Sequence, residues 1–224
     1  MTEAEMNTDV GVILPTFCEA ENIEKIVHKI VNLRLNLVLL IIDDSSPDET
    51  PNIIKRLKGE YENIIVLNRP FKKGLGTAIT DGFRLLLSQS SPPKYIITMD
   101  ADFSHNPEDI PKLIARTKEG YDMVIGSRYC EGGEVRGWSL TRWSISRIAN
   151  KLAKSVLKLP INDFTNGFRC YSIGFVQKIL PKLHSQTYEI QIETIRQAKL
   201  QHLKVGDTAI IFENRKKGKS TWPT

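Results

Sequence analysis

The stretch "KYIITMDADFSH", residues 94–105, joins an apolar run to a pair of acids. Four of the five residues from Tyr95 to Met99 are apolar, and the run reads as a strand covered on both faces, as in a parallel sheet flanked by helices. It passes directly into Asp100 and Asp102, separated by Ala101. On an extended backbone, acids at i and i+2 point to the same side, about 7 Å apart. Buried together without a counter-charge they repel, and one takes up a proton. A divalent cation removes that conflict. Mg²⁺ is held by one or two carboxylates, with waters and substrate phosphates completing its shell. A D-x-D at a strand end therefore reads as a metal–diphosphate clamp. A second reading stays open, because Asp102 and Ser104 precede Asn106-Pro107 and could cap the helix that starts there.

Working outward, strand-like and helix-like segments alternate through the first 127 residues. Val10 to Leu14, Leu37 to Ile42, Ile64 to Leu67, Tyr95 to Met99 and Tyr121 to Ser127 read as strands. Glu21 to Leu33, Asp48 to Lys58, Thr77 to Leu87 and Pro107 to about Lys118 read as helices. This pattern predicts a doubly wound α/β fold with a mostly parallel sheet. In such sheets ligands bind beyond the carboxyl ends of the strands. Strand one is followed by "PTFCEAEN", strand two by "DDSSPDET", strand four by "DADFSH" and strand five by "GSRY". Three acidic clusters and Arg128 should thus gather along one rim. Downstream arginines, Arg169 and Arg215, follow elements that could return to it, and planar guanidinium groups suit phosphate oxygens. The segment "KKGLGTA", Lys72 to Ala78, reads either as a plain turn or as a phosphate-binding loop.

Beyond residue 128 the pattern changes. "GEVRGWSLTRWSISRIANKLAKSVLK" has no acid after Glu134, and Trp138, Trp143, Ile145, Ile148, Leu152 and Val156 are interleaved with basic residues. The segment from about Trp138 to Lys158 reads as an amphipathic interfacial helix suited to anionic lipid, or as a solvated helix on the core. "INDFTNGFRCYS" reads as a loop or short strand, Val176 to Leu180 and Ile190 to Leu200 as helices, and Val205 to Phe212 as a final strand.

The chain has 224 residues, 41% of them hydrophobic, enough for one substantial core. A net charge of +5 favours anionic partners. The basic residues lack the frame of a known nucleic-acid-binding module, so no nucleic-acid partner is expected. Three cysteines without C-x-x-C spacing argue against a disulfide framework or zinc site. The polar start "MTEAEMNTD" has no signal-peptide core, and no apolar run approaches the ~18 residues of a spanning helix.

Taken in order, "ILPTFCEAENI", "IIDDSSPDET", "GLGTAITDGF", "MDADFSHNPEDIPKLI", "GSRY", "GWSLTRWSISRIAN", "DFTNGFRCYS", "YEIQIETIRQA" and "RKKGKS" resemble the polyprenol-phosphate (dolichyl-phosphate) mannosyltransferases, inverting family 2 glycosyltransferases of the GT-A fold. The resemblance spans about residues 10 to 220. It departs at Ser45, Glu49, Ser104, Asn166 and Thr221. It implies a nucleotide-sugar donor, GDP-mannose most often, and a polyprenyl phosphate acceptor, with Mg²⁺ or Mn²⁺ on the diphosphate. In that pattern Pro15, Phe17, Glu19, Ile42 and Asp44 surround the nucleoside. Asp100, Ala101, Asp102 and Arg128 complete the donor site, and Asp100 and Asp102 are the metal ligands. Arg128, Arg169 and Arg215 meet the acceptor phosphate. Asp102, Arg128 and Arg215 carry the chemistry.

With no linker-like stretch dividing the chain, the expectation is a disordered stretch 1–9, a single GT-A domain over 10–213 with a C-terminal α+β elaboration, and a basic tail over 214–224. The domain's nucleotide-sugar half is about 10–128 and its acceptor half about 129–213. The protein is expected in the cytoplasm, peripheral at the cytoplasmic face of a membrane, where a membrane-anchoring partner could hold it. Competing readings are a UDP-sugar-dependent polyprenyl-phosphate glucosyltransferase, a non-catalytic nucleotide-binding relative, and a phospho-receiver-like module. The last would place its acid pair after strand one, where "PTFCE" stands.

Overall fold

A computed structural model describes residues 8–215. The expected disorder up to residue 7 and the tail from residue 216, with Thr221, lie outside the described residues. The elements run β1 (Val10–Thr16), α1 (Ile23–Val31), β2 (Leu37–Asp43), α2 (Thr50–Glu60), β3 (Ile64–Asn68), α3 (Leu75–Leu87), β4 (Tyr95–Thr98), α4 (Ile110–Lys118) and β5 (Met123–Ser127). They continue through β6 (Glu134–Arg136), α5 (Leu140–Leu157), β7 (Arg169–Ser172), α6 (Ile173–Ile179), α7 (Ile190–Leu200), β8 (Val205–Ala209) and β9 (Ile211–Glu213).

Seven strands form one sheet in the order β3-β2-β1-β4-β7-β5-β8. All neighbours are parallel except β7, which runs antiparallel to both β4 and β5. Alternate residues of each central strand enter different cores. Val12, Leu14, Leu39 and Ile41 pack under α1, α2 and α4, with Ile26, Ile54 and Leu113. Ile13, Leu40 and Ile42 pack against α3, α6 and α7, with Phe83, Phe175 and Ile195. Burial on both faces explains the unbroken apolar runs in the sequence.

Strand β1 continues through Pro15, past the expected end at Leu14. Its partner β4 reaches only Thr98, opposite Ile13. Pro15 has the same ladder parity as Ile13, so its missing N–H faces a side where no strand remains. The predicted single strand Val205 to Phe212 breaks at Ile210. Its second part, β9, leaves the main sheet and pairs parallel with β6. Strand β7 is the other difference. Thr98 pairs with Arg169 and Ile125 with the same residue, so β7 begins opposite the end of β4 and two residues short of the end of β5. The loop before it, "DFTNGF", is thereby placed beside the acidic pair.

Candidate active site

Beyond the carboxyl ends of β1, β2, β4 and β5 lies a cavity of about 990 Å³. Pro15, Phe17 and Glu19 reach it from the end of β1, Ile42 and Asp44 from β2, Asp100, Ala101 and Asp102 from β4, and Arg128 from β5. Arg215 enters from beyond β9. Ten of the eleven expected site residues thus line one space.

The D-x-D turn is held by backbone strain and hydrogen bonds together. Phe103 adopts φ +62°, a left-handed conformation costly for a bulky residue. Asp102 Oδ1 accepts the Ser104 N–H at 2.9 Å. The cap of the following turn is Asn106, whose side chain accepts the Glu108 N–H at 3.3 Å, so capping does not consume Asp102. Asp102 Oδ2 faces the Arg215 guanidinium, with Nη2 at 2.6 Å. Arg215 Nη1 also stands 3.8 Å from Glu19 Oε1.

The charges are uneven in a way that suits cation binding. Desolvation by its surroundings, and then the nearby Asp102 charge, push the half-exposed Asp100 carboxyl up from its usual range. At Asp102 burial acts in the same direction, but hydrogen bonds from Ser104 and the charge of Arg215 outweigh it and hold the carboxyl low. Glu19 is raised by burial, although Asn22 Nδ2 donates to its Oε2 at 2.8 Å. Among the described residues, no three His, Cys, Asp or Glu side chains group to enclose an ion. Two carboxylates on one turn, already balanced by a guanidinium, form an oxygen donor set that fits Mg²⁺ or Mn²⁺ when diphosphate and water supply the remaining ligands.

Arg128 lines the cavity, yet its charge is anchored from behind. Its Nε and Nη2 donate to the two oxygens of buried Asp163, at 2.6 and 2.8 Å, and Nη2 also donates to Thr165 Oγ1 at 2.8 Å. Burial works against both charges, but the pairing prevails. It raises the Arg128 pKa and lowers that of Asp163. Trp138 and Phe212 lie 5.2 and 5.4 Å from the guanidinium carbon.

Arg169 corrects an expectation. It does not line the cavity; it is fully buried and directed into the core. It donates to the carbonyls of Asn166, Gln191 and Phe164 and to Thr194 Oγ1, at 2.7 to 3.0 Å. This arginine ties the "TNGF" loop to α7 and has no path to an acceptor phosphate. The glycine loop, whose Lys72 and Gly74 line the cavity, spends part of its backbone on contacts within the protein. The Lys73 and Gly74 N–H groups donate to Asp44 Oδ2, and the Thr77 N–H donates to the Gln186 carbonyl. A Cβ on Gly76 would stand 2.4 Å from the Ser185 carbonyl oxygen, so close backbone packing accounts for the glycine.

Some site residues escaped the sequence reading. Arg69, which follows β3, is buried and pairs with Asp44. The rule that found Arg128 would have found it. Asp163, Asn166, Gln191 and Tyr188 sit in loops or at a helix start, and only their proximity in space links them to the rim. From the same cavity, Thr141, Ile145 and Ala149 of α5 lead outward to Ile148, Leu152 and Val156, which are exposed.

Comparison with known proteins agrees with this geometry. The model of glycosyl transferase family 2 matches residues 11–180. A polyprenol monophosphomannose synthase of Mycolicibacterium smegmatis is 35% identical over 93% of this chain and 79% of its own length. A dolichol-phosphate mannosyltransferase of Pyrococcus furiosus is 34% identical over 94% of this chain, which spans 58% of that protein. Among solved structures, a glucosyl-3-phosphoglycerate synthase of Mycobacterium tuberculosis, in complex with Mn²⁺, UDP and phosphoglyceric acid, superposes with a TM-score of 0.70. That match has 17% identity and covers 96% of this chain and 73% of the other. A mannosyltransferase of Pyrobaculum calidifontis, in complex with GDP-Man and Mn²⁺, gives a TM-score of 0.62 at 15% identity over 92% of this chain and 56% of its own. These likenesses show the GT-A fold that the resemblance implied. With the family model covering most of the sheet and relatives above 30% identity along nearly the whole chain, this protein belongs to glycosyl transferase family 2.

Proposed function

We propose that the protein transfers a hexose, mannose from GDP-mannose in the first place, to a polyprenyl phosphate with inversion at the anomeric carbon. One observation carries the reading. A single cavity is lined by a D-x-D pair, by two arginines and by Ile145 and Ala149, from which the exposed apolar stripe of α5 continues. A donor diphosphate and a lipid phosphate are the two substrates such a space accommodates. The names of the two relatives above 30% identity support the same pairing.

In this reading Pro15, Phe17 and Ile42 give the nucleoside its apolar walls, and Glu19 and Asp44 offer it hydrogen-bond acceptors. Asp100 and Asp102 would hold Mg²⁺ or Mn²⁺, which when bound neutralises charge on the departing nucleoside diphosphate. Arg215, beside Asp102, and Arg128, fixed by Asp163, lower the cost of bringing two anions together. The acceptor phosphate is a monoester with a second pKa near 6, so its oxygen is ionised at neutral pH and needs no general base. That oxygen forms the new bond to the sugar C1 on the face opposite the diphosphate. The C1–oxygen bond to the diphosphate breaks, and its electron pair leaves with the nucleoside diphosphate.

The lipid chain would leave the cavity past Ile145 and Ala149 and follow Ile148, Leu152 and Val156 outward. By helical spacing Arg142 and Lys151 border that stripe, as on helices that lie in a bilayer interface. No helix among the described residues is long and apolar enough to cross a membrane. We place the protein at a cytoplasmic membrane face, docked peripherally through α5 and through a membrane-anchoring partner. Incubation with labelled GDP-mannose, polyprenyl phosphate and Mn²⁺ should give a lipid-linked sugar. Failure to form one with GDP- or UDP-sugars would overturn the reading. A thermal-shift comparison of GDP against UDP with Mn²⁺ separates the mannosyl from the glucosyl alternative.

A further inference from the structure

His105 stands three residues beyond Asp102 and is 1% exposed, too deep to touch a ligand in the cavity. Its ring nitrogens are both engaged. Nδ1 accepts the backbone N–H of Asp100 at 3.0 Å, and Nε2 lies 2.7 Å from Asn166 Oδ1. An Nδ1 that accepts must carry a lone pair, which puts the ring proton on Nε2 and makes Nε2 the donor to Asn166. The Asn166 amide is oriented to match, since its Nδ2 donates to the Gly126 carbonyl at the end of β5. The Asn166 backbone N–H donates to Asp163 Oδ1 at 3.2 Å, and Asp163 in turn grips Arg128. The imidazole is also clamped between rings, stacked on Phe168 at 5.1 Å and edge-on to Phe212 at 5.7 Å.

We propose that His105 is the positioning residue of the acidic pair, an Nε2–H imidazole that fixes the Asp100 backbone and, through Asn166 and Asp163, sets the D-x-D turn against Arg128. The inference rests on the function proposed above, because it assigns the network to registering two halves of a metal–diphosphate site. Two independent features point to it. Phe103 holds φ +62° within the same turn, and a conformation so disfavoured persists only where its surroundings enforce it. The bond from Asp100 N to His105 closes that turn across the strained residue. The two strand ends it registers, those of β4 and β5, are not neighbours, because β7 lies between them. The chain Asp100–His105–Asn166–Asp163–Arg128, buried from His105 onward, joins these two strand ends beyond Arg169, where the β7 ladder stops.

The test uses the full chain, with GDP and Mn²⁺ as probes. His105→Phe keeps the stack on Phe168 but removes the acceptor for Asp100. His105→Asn restores an acceptor at the place of Nδ1 through its Oδ1. We expect H105F to weaken Mn²⁺-dependent GDP binding at least tenfold while metal-free GDP binding stays within twofold. We expect H105N to recover Mn²⁺-dependent binding to within threefold of wild type. Parallel loss of both kinds of binding in both variants, or binding by H105F equal to wild type, overturns the inference. A wild type that binds neither Mn²⁺–GDP nor Mn²⁺–UDP overturns the proposed function and this inference with it. Nitrogen NMR of the wild type, which needs no variant to fold, must show an unprotonated Nδ1 and a protonated Nε2 for His105. The opposite tautomer sinks the proposal.

Discussion

At the residue scale, the same side-chain type serves different ends according to what meets it. Arg169 and Arg128 both follow sheet strands or begin one, yet one is a strut and the other lines the cavity. Removing the strut as Arg169→Met would take a donor from the buried carbonyls of Asn166, Gln191 and Phe164 and from Thr194 Oγ1. A loss of roughly 3–5 kcal/mol is expected, read as a lower midpoint in urea denaturation. Nucleotide affinity should survive wherever the variant remains folded. Asp102→Asn should do the reverse. Stability should change little, while Mn²⁺-dependent donor binding measured by calorimetry falls beyond detection. The Asp163–Arg128 pair adds a pH dependence. Its folded carboxyl is depressed, so the stability it contributes is complete above the ordinary aspartate value of 3.8 and is lost as pH falls through the folded value. The melting temperature of wild type should therefore drop in that acid range. Asp163→Asn should be less stable at neutral pH but show a flatter acid limb.

At the element scale, helix α3 shows how tightly the sheet dictates its covering. Gly82 faces Ile13 of the central strand β1, and a Cβ there would come within 2.8 Å of the Ile13 side chain. Helix propensity alone favours alanine by about 1 kcal/mol. Overpacking should outweigh that gain, and Gly82→Ala is expected to lower stability by about 1 kcal/mol or more in chemical denaturation. Among the elements, the parallel strands and their helices were readable because each carries a long, one-period apolar pattern. From sequence, strand β7 reads as a loop or a short strand. Its four residues "RCYS" begin with a charge, and its pairing comes from β4 and β5, which lie far away in sequence. Strands β6 and β9 are three residues each, and their partners are likewise distant, so local pattern has little to say about them.

At the scale of the whole molecule, the apolar stripe of α5 is the feature that a water-soluble fold does not explain. Ile145, Ile148, Leu152 and Val156 are 58 to 71% exposed on one helix whose first turns open on the cavity. Side chains so exposed contribute little to folding, so Ile148→Ser with Leu152→Ser should leave stability within about 0.5 kcal/mol. The same double variant should co-sediment less with anionic vesicles and turn over polyprenyl phosphate more slowly, with GDP binding unchanged. Equal sedimentation would count against α5 as the membrane contact.

Much of this protein follows from short-range information. Apolar runs of strand length, helical spacing between them and acids at the run ends are local properties. They determine a doubly wound sheet and collect Glu19, Asp44, Asp100, Asp102 and Arg128 at one edge of it. What each charge does there is decided elsewhere in the chain. Arg128 is oriented by an aspartate 35 positions on, and Asp102 meets an arginine 113 positions on. The energy of a buried charge depends on which partner comes within about 3 Å of it. Only the closed fold sets that distance. The tertiary structure alone therefore turned Arg169 into the core and brought Arg215 to the acids, although both had been expected at the same phosphate.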